Sequence, residues 1–286
     1  MNAPKNGSKS DPGGSVTENR SPSAPVMEVF ASFQGEGLYL GEPQIFVRLR
    51  GCPLRCPWCD TPGSWRIEPD ARARIAVQAP ADGDSAQMRP MARATPFQVA
   101  CWIAEVERGA PRTISVTGGE PLMWPEFVRG LCEMAGDRRV HLETAGAHPN
   151  SLARVVESVD HVSLDLKLPA EMGAVVELDG EAFEPSPRSA SEWRAARRGC
   201  LELIAGRDAC AKLVLSGGRE AGAYEELLCD LARIAPKVPL FVQPVTPVGG
   251  VLPAALSLVG NVVEDALDLG LVVRVVPQMH RVLGIP

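Results

Sequence analysis

Cys52, Cys56 and Cys59 lie in the run Gly51-Cys52-Pro53-Leu54-Arg55-Cys56-Pro57-Trp58-Cys59-Asp60-Thr61. This C-x3-C-x2-C spacing supplies three thiolates, one fewer than a closed structural zinc site takes. A 4Fe-4S cluster held by three cysteines leaves one iron open to hold and reduce a small molecule. Two plainer readings stand beside it: three buried cysteines with no ligand, and a zinc loop completed by a distant histidine. Thiolate-rich sites with an open position rarely arise by accident, which favours the cluster.

A second group is Thr117-Gly118-Gly119-Glu120-Pro121. Adjacent glycines at a strand end let backbone approach a ligand closely, and a carboxylate just beyond can accept bonds from an ammonium group. Glu143-Thr144 and Asp165-x-Lys167 offer hydroxyl, carboxylate and amine groups, and Gln243-Pro244-Val245-Thr246 a loop able to flank a ring. Each has a plainer reading as a solvated strand end or a shaped turn. Upstream, Gln34-Gly35-Glu36-Gly37 presents an amide and a carboxylate between glycines, suited to a flat, donor-rich ring. Arg48 can pair at two points with a carboxylate; its alternatives are to reach solvent or to brace Glu36.

The elements that must position these groups alternate in type. Short β-rich runs are expected at Met27 to Phe30, Gln44 to Arg50, Thr113 to Thr117, Arg139 to Glu143, His161 to Lys167, Ala211 to Leu215, Leu240 to Val245 and Leu271 to Val276. Helical stretches are expected at Pro96 to Arg108, Pro125 to Ala135, Ser151 to Ser158, Ser191 to Ile204, Glu220 to Ala235 and Pro253 to Leu269. Such alternation predicts an α/β fold, a mostly parallel sheet under outer helices, closed or partly closed as a (βα) barrel. The polar motifs then fall at strand ends around one mouth. Residues 1–25 read as a disordered tail, 26–286 as one catalytic domain, and 66–94 as an inserted surface excursion.

With 45% hydrophobic residues the chain can bury one large core. A net charge of -6 and a pI of about 5.4 provide no basic field for nucleic acid, so a small-molecule substrate is favoured. Eight cysteines, five of them scattered through apolar segments without paired spacing, no signal segment and no long apolar run point to a reduced, cytoplasmic protein away from membranes.

The C-x3-C-x2-C loop and G-G-E-P turn resemble those of the radical S-adenosylmethionine (SAM) enzymes. With Q-G-E-G, F-V-R-L-x-G-C, C-x-W-C-D-T, E-T-x-G, D-L-K and the ending His280-Arg281-Val282-Leu283-Gly284-Ile285-Pro286, the chain from Glu28 onward closely resembles the 7-carboxy-7-deazaguanine synthase family. The resemblance implies a partial barrel of the radical SAM type. It also implies conversion of 6-carboxy-5,6,7,8-tetrahydropterin to 7-carboxy-7-deazaguanine with loss of ammonia, on the route to queuosine. A 4Fe-4S cluster on Cys52, Cys56 and Cys59 would cleave SAM reductively, giving a radical that removes and later returns one hydrogen of the pterin.

By the same resemblance, Thr61 would hold Mg2+, which prefers oxygen ligands. Gln34, Gly35, Glu36, Arg48, Thr117 and the terminal carboxylate of Pro286 would bind the pterin. Trp58, Cys59, Asp60, Gly119, Glu120, Glu143, Asp165, Lys167, Gln243, Pro244, Val245 and Thr246 would surround SAM. Many relatives carry a serine-proline-lysine run where this chain has Ser163-Leu164-Asp165-Leu166-Lys167, so either Ser163 or Asp165 could meet the ribose. Partners implied are a flavodoxin or ferredoxin reductant and a second copy of the chain. The rival readings are a glycyl-radical activase, which has no need of Q-G-E-G or Arg48, and a non-catalytic zinc module.

Overall fold

A computed structural model of the chain describes residues 21–76, 86–91, 93–178 and 183–285. Strands β1 (Val26–Phe33) and β2 (Pro43–Leu49) are antiparallel neighbours. Beside β2 follow β5 (Thr113–Gly118), β6 (Val140–Thr144), β7 (His161–Asp165), β8 (Ala209–Leu215), β9 (Leu240–Pro244) and β10 (Val273–Val275), each parallel to the strand before it. On the other edge of β1 lie β3 (Ala73–Ala76), parallel to it, and then β4 (Gln87–Arg89), antiparallel to β3. Among the described residues the ten strands make one open sheet that ends in β10 and β4. It wraps far enough for β1, β2, β5, β6, β7, β8 and β9 all to line one cavity, which makes it a partial barrel.

Alternation along the strands sorts the residues. Ile114 and Val116, Val140 and Leu142, Val162 and Leu164, Ala211 and Leu213, and Leu240 and Val242 join the main core. Their neighbours Ser115, Thr117, His141, Glu143, Ser163, Asp165, Lys212 and Gln243 take the opposite face, and the inner side of the sheet is therefore polar. Helices α1 (Pro96–Val106), α2 (Pro125–Glu133), α3 (Pro149–Ala153), α4 (Ala190–Ile204), α5 (Glu225–Ile234) and α6 (Leu256–Asp268) follow in chain order, and all but α3 set an apolar stripe of several buried residues inward. Capping boxes start α1, from Thr95 with Gln98, and α4, from Ser189 with Glu192. A last short helix, α7 (Met279–Leu283), ends at Gly284 in the left-handed conformation. Among the described residues no helix is long and apolar enough to cross a membrane.

The expected elements recur with shifted ends. Two differences stand out. The stretch 66–94, expected as a surface excursion, contributes β3 and β4 to the sheet, with Ala71, Ala73, Ile75 and Ala76 buried; strands of four and three residues are too short to show the alternation that marks a strand in sequence. Residues 1–20 of the expected tail lie outside the described residues. Ala24, also placed in that tail, is buried and exchanges both backbone hydrogen bonds with Ala94.

Candidate active site

The cavity inside the sheet measures about 350 Å³, within the range of small-molecule sites. The cysteine loop forms one wall. The backbone NH groups of Gly51 and Cys52 donate to the carbonyls of Ser64 and Trp65 at 2.8 and 3.1 Å, and those of Gly173 and Val176 donate to Arg55 and Pro53, both at 2.9 Å. Arg55 Nη1 donates to the carbonyls of Cys52 and Leu54, both at 2.7 Å, while its guanidinium stacks over Trp65. The loop is thus shaped by backbone bonds that do not depend on the thiols.

The Gly118-Gly119 turn approaches this loop rather than open space. Gly118 has φ +122°, and a Cβ there would lie 2.3 Å from Leu49 backbone atoms, so only glycine fits. Gly119 and Glu120 donate their NH groups to the carbonyls of Leu49 and Gly51, both at 2.9 Å. Glu120 is 1% exposed and accepts bonds from Leu122 N at 3.0 Å, Thr144 Oγ1 at 2.8 Å and Ala145 N at 2.9 Å. Three of about four carboxylate lone-pair sites are filled, leaving one for a ligand donor.

All three cysteines line the cavity as free thiols. Burial pushes each of them up, and at Cys52 the Glu120 carboxylate adds to this. Binding iron as thiolates therefore expels protons. Among the described residues no three His, Cys, Asp or Glu side chains gather closely enough to hold one metal ion. A 4Fe-4S cluster would take the thiolates on separate irons and so would not need them to converge on one point.

The opposite wall is a buried array of charge. Asp165 and Lys212 are register partners on β7 and β8, with Lys212 Nζ 3.1 Å from Asp165 Oδ1. Lys167 Nζ lies 2.6 Å from Asp165 Oδ2 and over the Trp58 ring. Lys212 Nζ also donates to Glu36 Oε2 at 2.6 Å, while Gln243 and Gln278 donate to Glu36 Oε1 at 2.9 and 3.0 Å. Burial alone would raise the Glu36 and Asp165 carboxyls, but the lysines beside them hold both below the usual carboxylate range. Two anions and two cations thus share one pocket in their charged forms. Among the described residues Gln243 Oε1 is a buried acceptor without a donor.

Glu36 arrives from the far end of the sheet. Because β1 runs against β2, the turn after Phe33 lies at the start of β2 and folds into the lumen as its floor. Gln34 Nε2 donates to Glu143 Oε1 at 3.0 Å, and Gln34 Oε1 accepts the Glu36 NH at 3.1 Å. Gly35 packs against His280 of α7, and its carbonyl accepts the Met279 NH at 2.9 Å. Arg48 pairs with its register neighbour Glu28 at 2.7 Å rather than with Glu36, and its Nη1 donates to Thr61 Oγ1 at 3.2 Å. Thr61 in turn donates to Asp60 at 3.2 Å, so hydroxyl and carboxylate oxygens adjoin there, a donor set suited to Mg2+.

Gln34, Gly35, Glu36, Arg48, Trp58, Asp60, Thr61, Thr117, Gly119, Glu120, Glu143, Asp165, Lys167 and Gln243 all line this cavity together with the cysteines. Ser163 does not: it lies beneath the floor, 2% exposed and bonded to His141 at 2.8 Å, so of the two ribose candidates Asp165 alone faces the cavity. Pro244, Val245 and Thr246 are likewise absent from the lining. Pro286 lies outside the described residues, although its neighbour Ile285 lines the cavity. The sequence reading missed Lys212 and Gln278. Lys212 had a signal, being a lone charge inside the apolar run Ala211 to Leu215, where a buried ammonium needs a partner.

Residues 46–176 match the sequence model of the Radical SAM superfamily. The 7-carboxy-7-deazaguanine synthase of Methanothermobacter thermautotrophicus is 31% identical over 274 residues, covering 92% of this chain and 98% of that protein. Its counterpart in Geobacter sulfurreducens is 32% identical over 270 residues, with the same coverage. Among solved structures, QueE from Escherichia coli superimposes with a TM-score of 0.53 at 20% identity, over 88% of this chain and 93% of that one. A radical SAM methyltransferase from Sphaerobacter thermophilus gives 0.54 at 14% identity, over 84% of this chain and 67% of the other. These two support the fold alone, and the curated relatives carry the assignment: the chain belongs to the 7-carboxy-7-deazaguanine synthase family of radical SAM enzymes.

Proposed function

We propose that this protein converts 6-carboxy-5,6,7,8-tetrahydropterin to 7-carboxy-7-deazaguanine with loss of ammonia. The observation that carries the reading is that one cavity is lined both by the cysteine trio and by Glu36 and Arg48. A three-cysteine cluster together with SAM would supply reversible removal of a hydrogen atom, which leaves the overall reaction redox-neutral. The residues of the chain bind, orient and exclude water.

Cys52, Cys56 and Cys59 would hold the cluster. The free lone pair of Glu120 would take the methionine ammonium, and Asp165 with Lys167 would hold the polar groups of SAM. Glu36, kept ionised by Lys212, would accept from the guanidine-like edge of the pterin. Arg48 would meet the pterin carboxylate, with Mg2+ at Thr61 and Asp60 sharing its charge. Pro286, one residue beyond Ile285, would add its terminal carboxylate. Residues 26–286 would act as one catalytic domain, in the cytoplasm, as a homodimer fed by a flavodoxin or ferredoxin.

The test is an anaerobic assay of reconstituted protein with the carboxytetrahydropterin, SAM, Mg2+ and dithionite. Formation of the carboxylated deazaguanine supports the reading. Colourless protein carrying one zinc, or cleavage of SAM without turnover of the pterin, overturns it. A C-terminal tag should raise KM for the pterin, and unchanged kinetics would remove Pro286 from the site.

A further inference from the structure

Beneath the cavity floor runs a line of buried polar groups that the proposed chemistry leaves unused. It begins at the surface, where the half-exposed Asp208 accepts from Tyr39 at 2.8 Å and Arg139 at 2.7 Å. Its other oxygen meets His161 Nδ1 at 2.8 Å. His161 Nε2 faces Ser163 Oγ at 3.5 Å, and Ser163 Oγ meets His141 Nε2 at 2.8 Å. His141 Nδ1 lies 3.4 Å from Gln34 Nε2, which donates to Glu143 in the cavity. Gln34, His141, His161 and Ser163 are each 3% exposed or less.

The donors and acceptors along this line admit one fully satisfied direction. A neutral imidazole has one donor and one acceptor nitrogen, and a carboxylate only accepts. Burial holds both rings below the ordinary histidine range, and they are therefore neutral at pH 7. Asp208 then requires the proton of His161 on Nδ1, leaving Nε2 as a lone pair that, among the described residues, Ser163 is placed to serve. Ser163 has one hydroxyl hydrogen. Once given to His161, it leaves the oxygen to accept from His141, whose proton must sit on Nε2. His141 Nδ1 is then an acceptor facing the NH2 of Gln34. The opposite tautomer could donate from Nδ1 to Gln44 Oε1, 3.5 Å away, but its Nε2 would then take the Ser163 hydrogen and leave the His161 Nε2 lone pair unserved. Cys210 Sγ, 3.2 Å from Ser163, can donate into the line without reversing it.

We infer that Asp208, acting through His161, Ser163 and His141 as positioning residues, makes His141 Nδ1 an acceptor for the Gln34 amide and thereby steadies the floor that receives the substrate. The identity of that substrate rests on the function proposed above; the relay does not.

The chain contains four histidines, so labelling with ring-15N histidine gives few signals to assign. In the oxidised holoenzyme without substrate, His141 should show the Nε2–H pattern and His161 the Nδ1–H pattern at pH 7. Asp208→Asn should leave His141 in a mixture of tautomers and raise KM for the pterin about threefold to tenfold, the scale of one hydrogen bond, with kcat within about twofold. Ser163→Ala should do the same, and the double variant should be no worse than either single, because a line already cut cannot be cut again. An Nδ1–H pattern at His141, a His141 tautomer indifferent to Asp208→Asn, or additive KM losses would each overturn the relay. Wild-type protein that fails to turn over the pterin would instead remove the substrate reading, with the tautomer measurement still deciding the relay.

Discussion

Lys212 Nζ lies 2.6 Å from Glu36 Oε2, joining the inner face of β8 to the turn that follows β1 across most of the length of the chain. The same ammonium lies 3.1 Å from Asp165, and the lysine side chain is 7% exposed. It therefore couples the half of the cavity proposed for the pterin to the half proposed for SAM. A charge so buried persists only with its partners, and theirs with it.

Lys212→Met should leave Glu36 with only Gln243 and Gln278, and its carboxyl should rise because burial is no longer offset by the ammonium. The folded carboxyl is depressed in the wild type, so ionisation there is complete well below neutrality; in the variant, protonation should reach toward neutral pH. Catalytic efficiency kcat/KM should fall by on the order of 2 to 5 kcal/mol, with a larger deficit at pH 6 than at pH 8. Lys212→Arg should recover part of the loss. A pH-independent deficit would mean that Lys212 acts only by filling space.

Arg48→Ala tests the proposed carboxylate contact. Glu28 retains Arg74 at 3.4 Å when Arg48 is removed, so the sheet should hold and circular dichroism should be unchanged. If the guanidinium meets the pterin carboxylate, transition-state stabilisation should drop by on the order of 2 to 5 kcal/mol. Glu28→Gln keeps the arginine and should cost less. Equal losses in the two variants would make the Glu28 pair, not the substrate contact, the important one.

Cys56→Ser separates the cluster from the fold. The loop is held by the NH groups of Gly51 and Cys52 and by Arg55, none of which needs a thiol. Reconstituted wild-type protein should carry about four irons per chain. The variant should lose the iron and its visible absorbance while its thermal midpoint, compared metal-free with metal-free, stays within a few degrees. A collapse of the metal-free variant would show that the thiol itself is part of the core.

Much of the cavity was written in residue types, but its inner surface was readable only in a pattern of period two. Val140-His141-Leu142-Glu143 and His161-Val162-Ser163-Leu164-Asp165 alternate apolar and polar residues in strands flanked on both sides by other strands. A strand buried by helices on one face and solvent-free on the other has no place for such polar residues unless the sheet curls around a polar lumen. Read only as β-rich runs, these strands yielded their end residues, Glu143 and Asp165, while His141 and Lys212 passed unnoticed. The reach of Gln34 and Glu36 into the site could not be read locally, because it depends on β1 running against β2. The added strands β3 and β4 were hidden for the opposite reason: four residues with two alanines in β3 and three residues in β4 are too short to carry any pattern.

Stability should fall as pH drops from 7 to 5, earlier than carboxylate protonation alone would produce. His148 is fully buried with Nε2 2.9 Å from Ser186 Oγ, and burial lowers its pKa to about 4. An unfolded chain takes up that proton near pH 6.5, so between the two values the unfolded state binds more protons and stability decreases with falling pH. Down to pH 5 the contribution of His148 is on the order of 2 kcal/mol, and His141 and His161 act in the same direction. Urea denaturation of His148→Gln should show a shallower decline over this window. An unchanged slope would mean that the folded ring is protonated near its ordinary value.

Gly35→Ala should separate closure of the C-terminal segment from the stability of the barrel. A Cβ at Gly35 would lie 2.2 Å from His280 Nδ1 and about 3 Å from two further His280 side-chain atoms, so the His280 side chain must shift to admit it, and α7 with it if the ring cannot turn aside. That movement strains the Met279–Gly35 hydrogen bond and the approach of His280 Nε2 to Asp60, 3.3 Å away beside the cysteine loop. The β1–β2 pairing is untouched. Activity should fall at least tenfold and the C-terminus should become more sensitive to carboxypeptidase, while the thermal midpoint changes little. Gly260→Ala is the matched control: it sits inside α6 with nothing within 4 Å of its Cβ, and should stabilise by about 0.5 to 1 kcal/mol without affecting turnover. If Gly35→Ala instead keeps full activity, His280 can rotate away freely, and the contact between α7 and the Gln34-Gly35-Glu36 turn contributes nothing to catalysis.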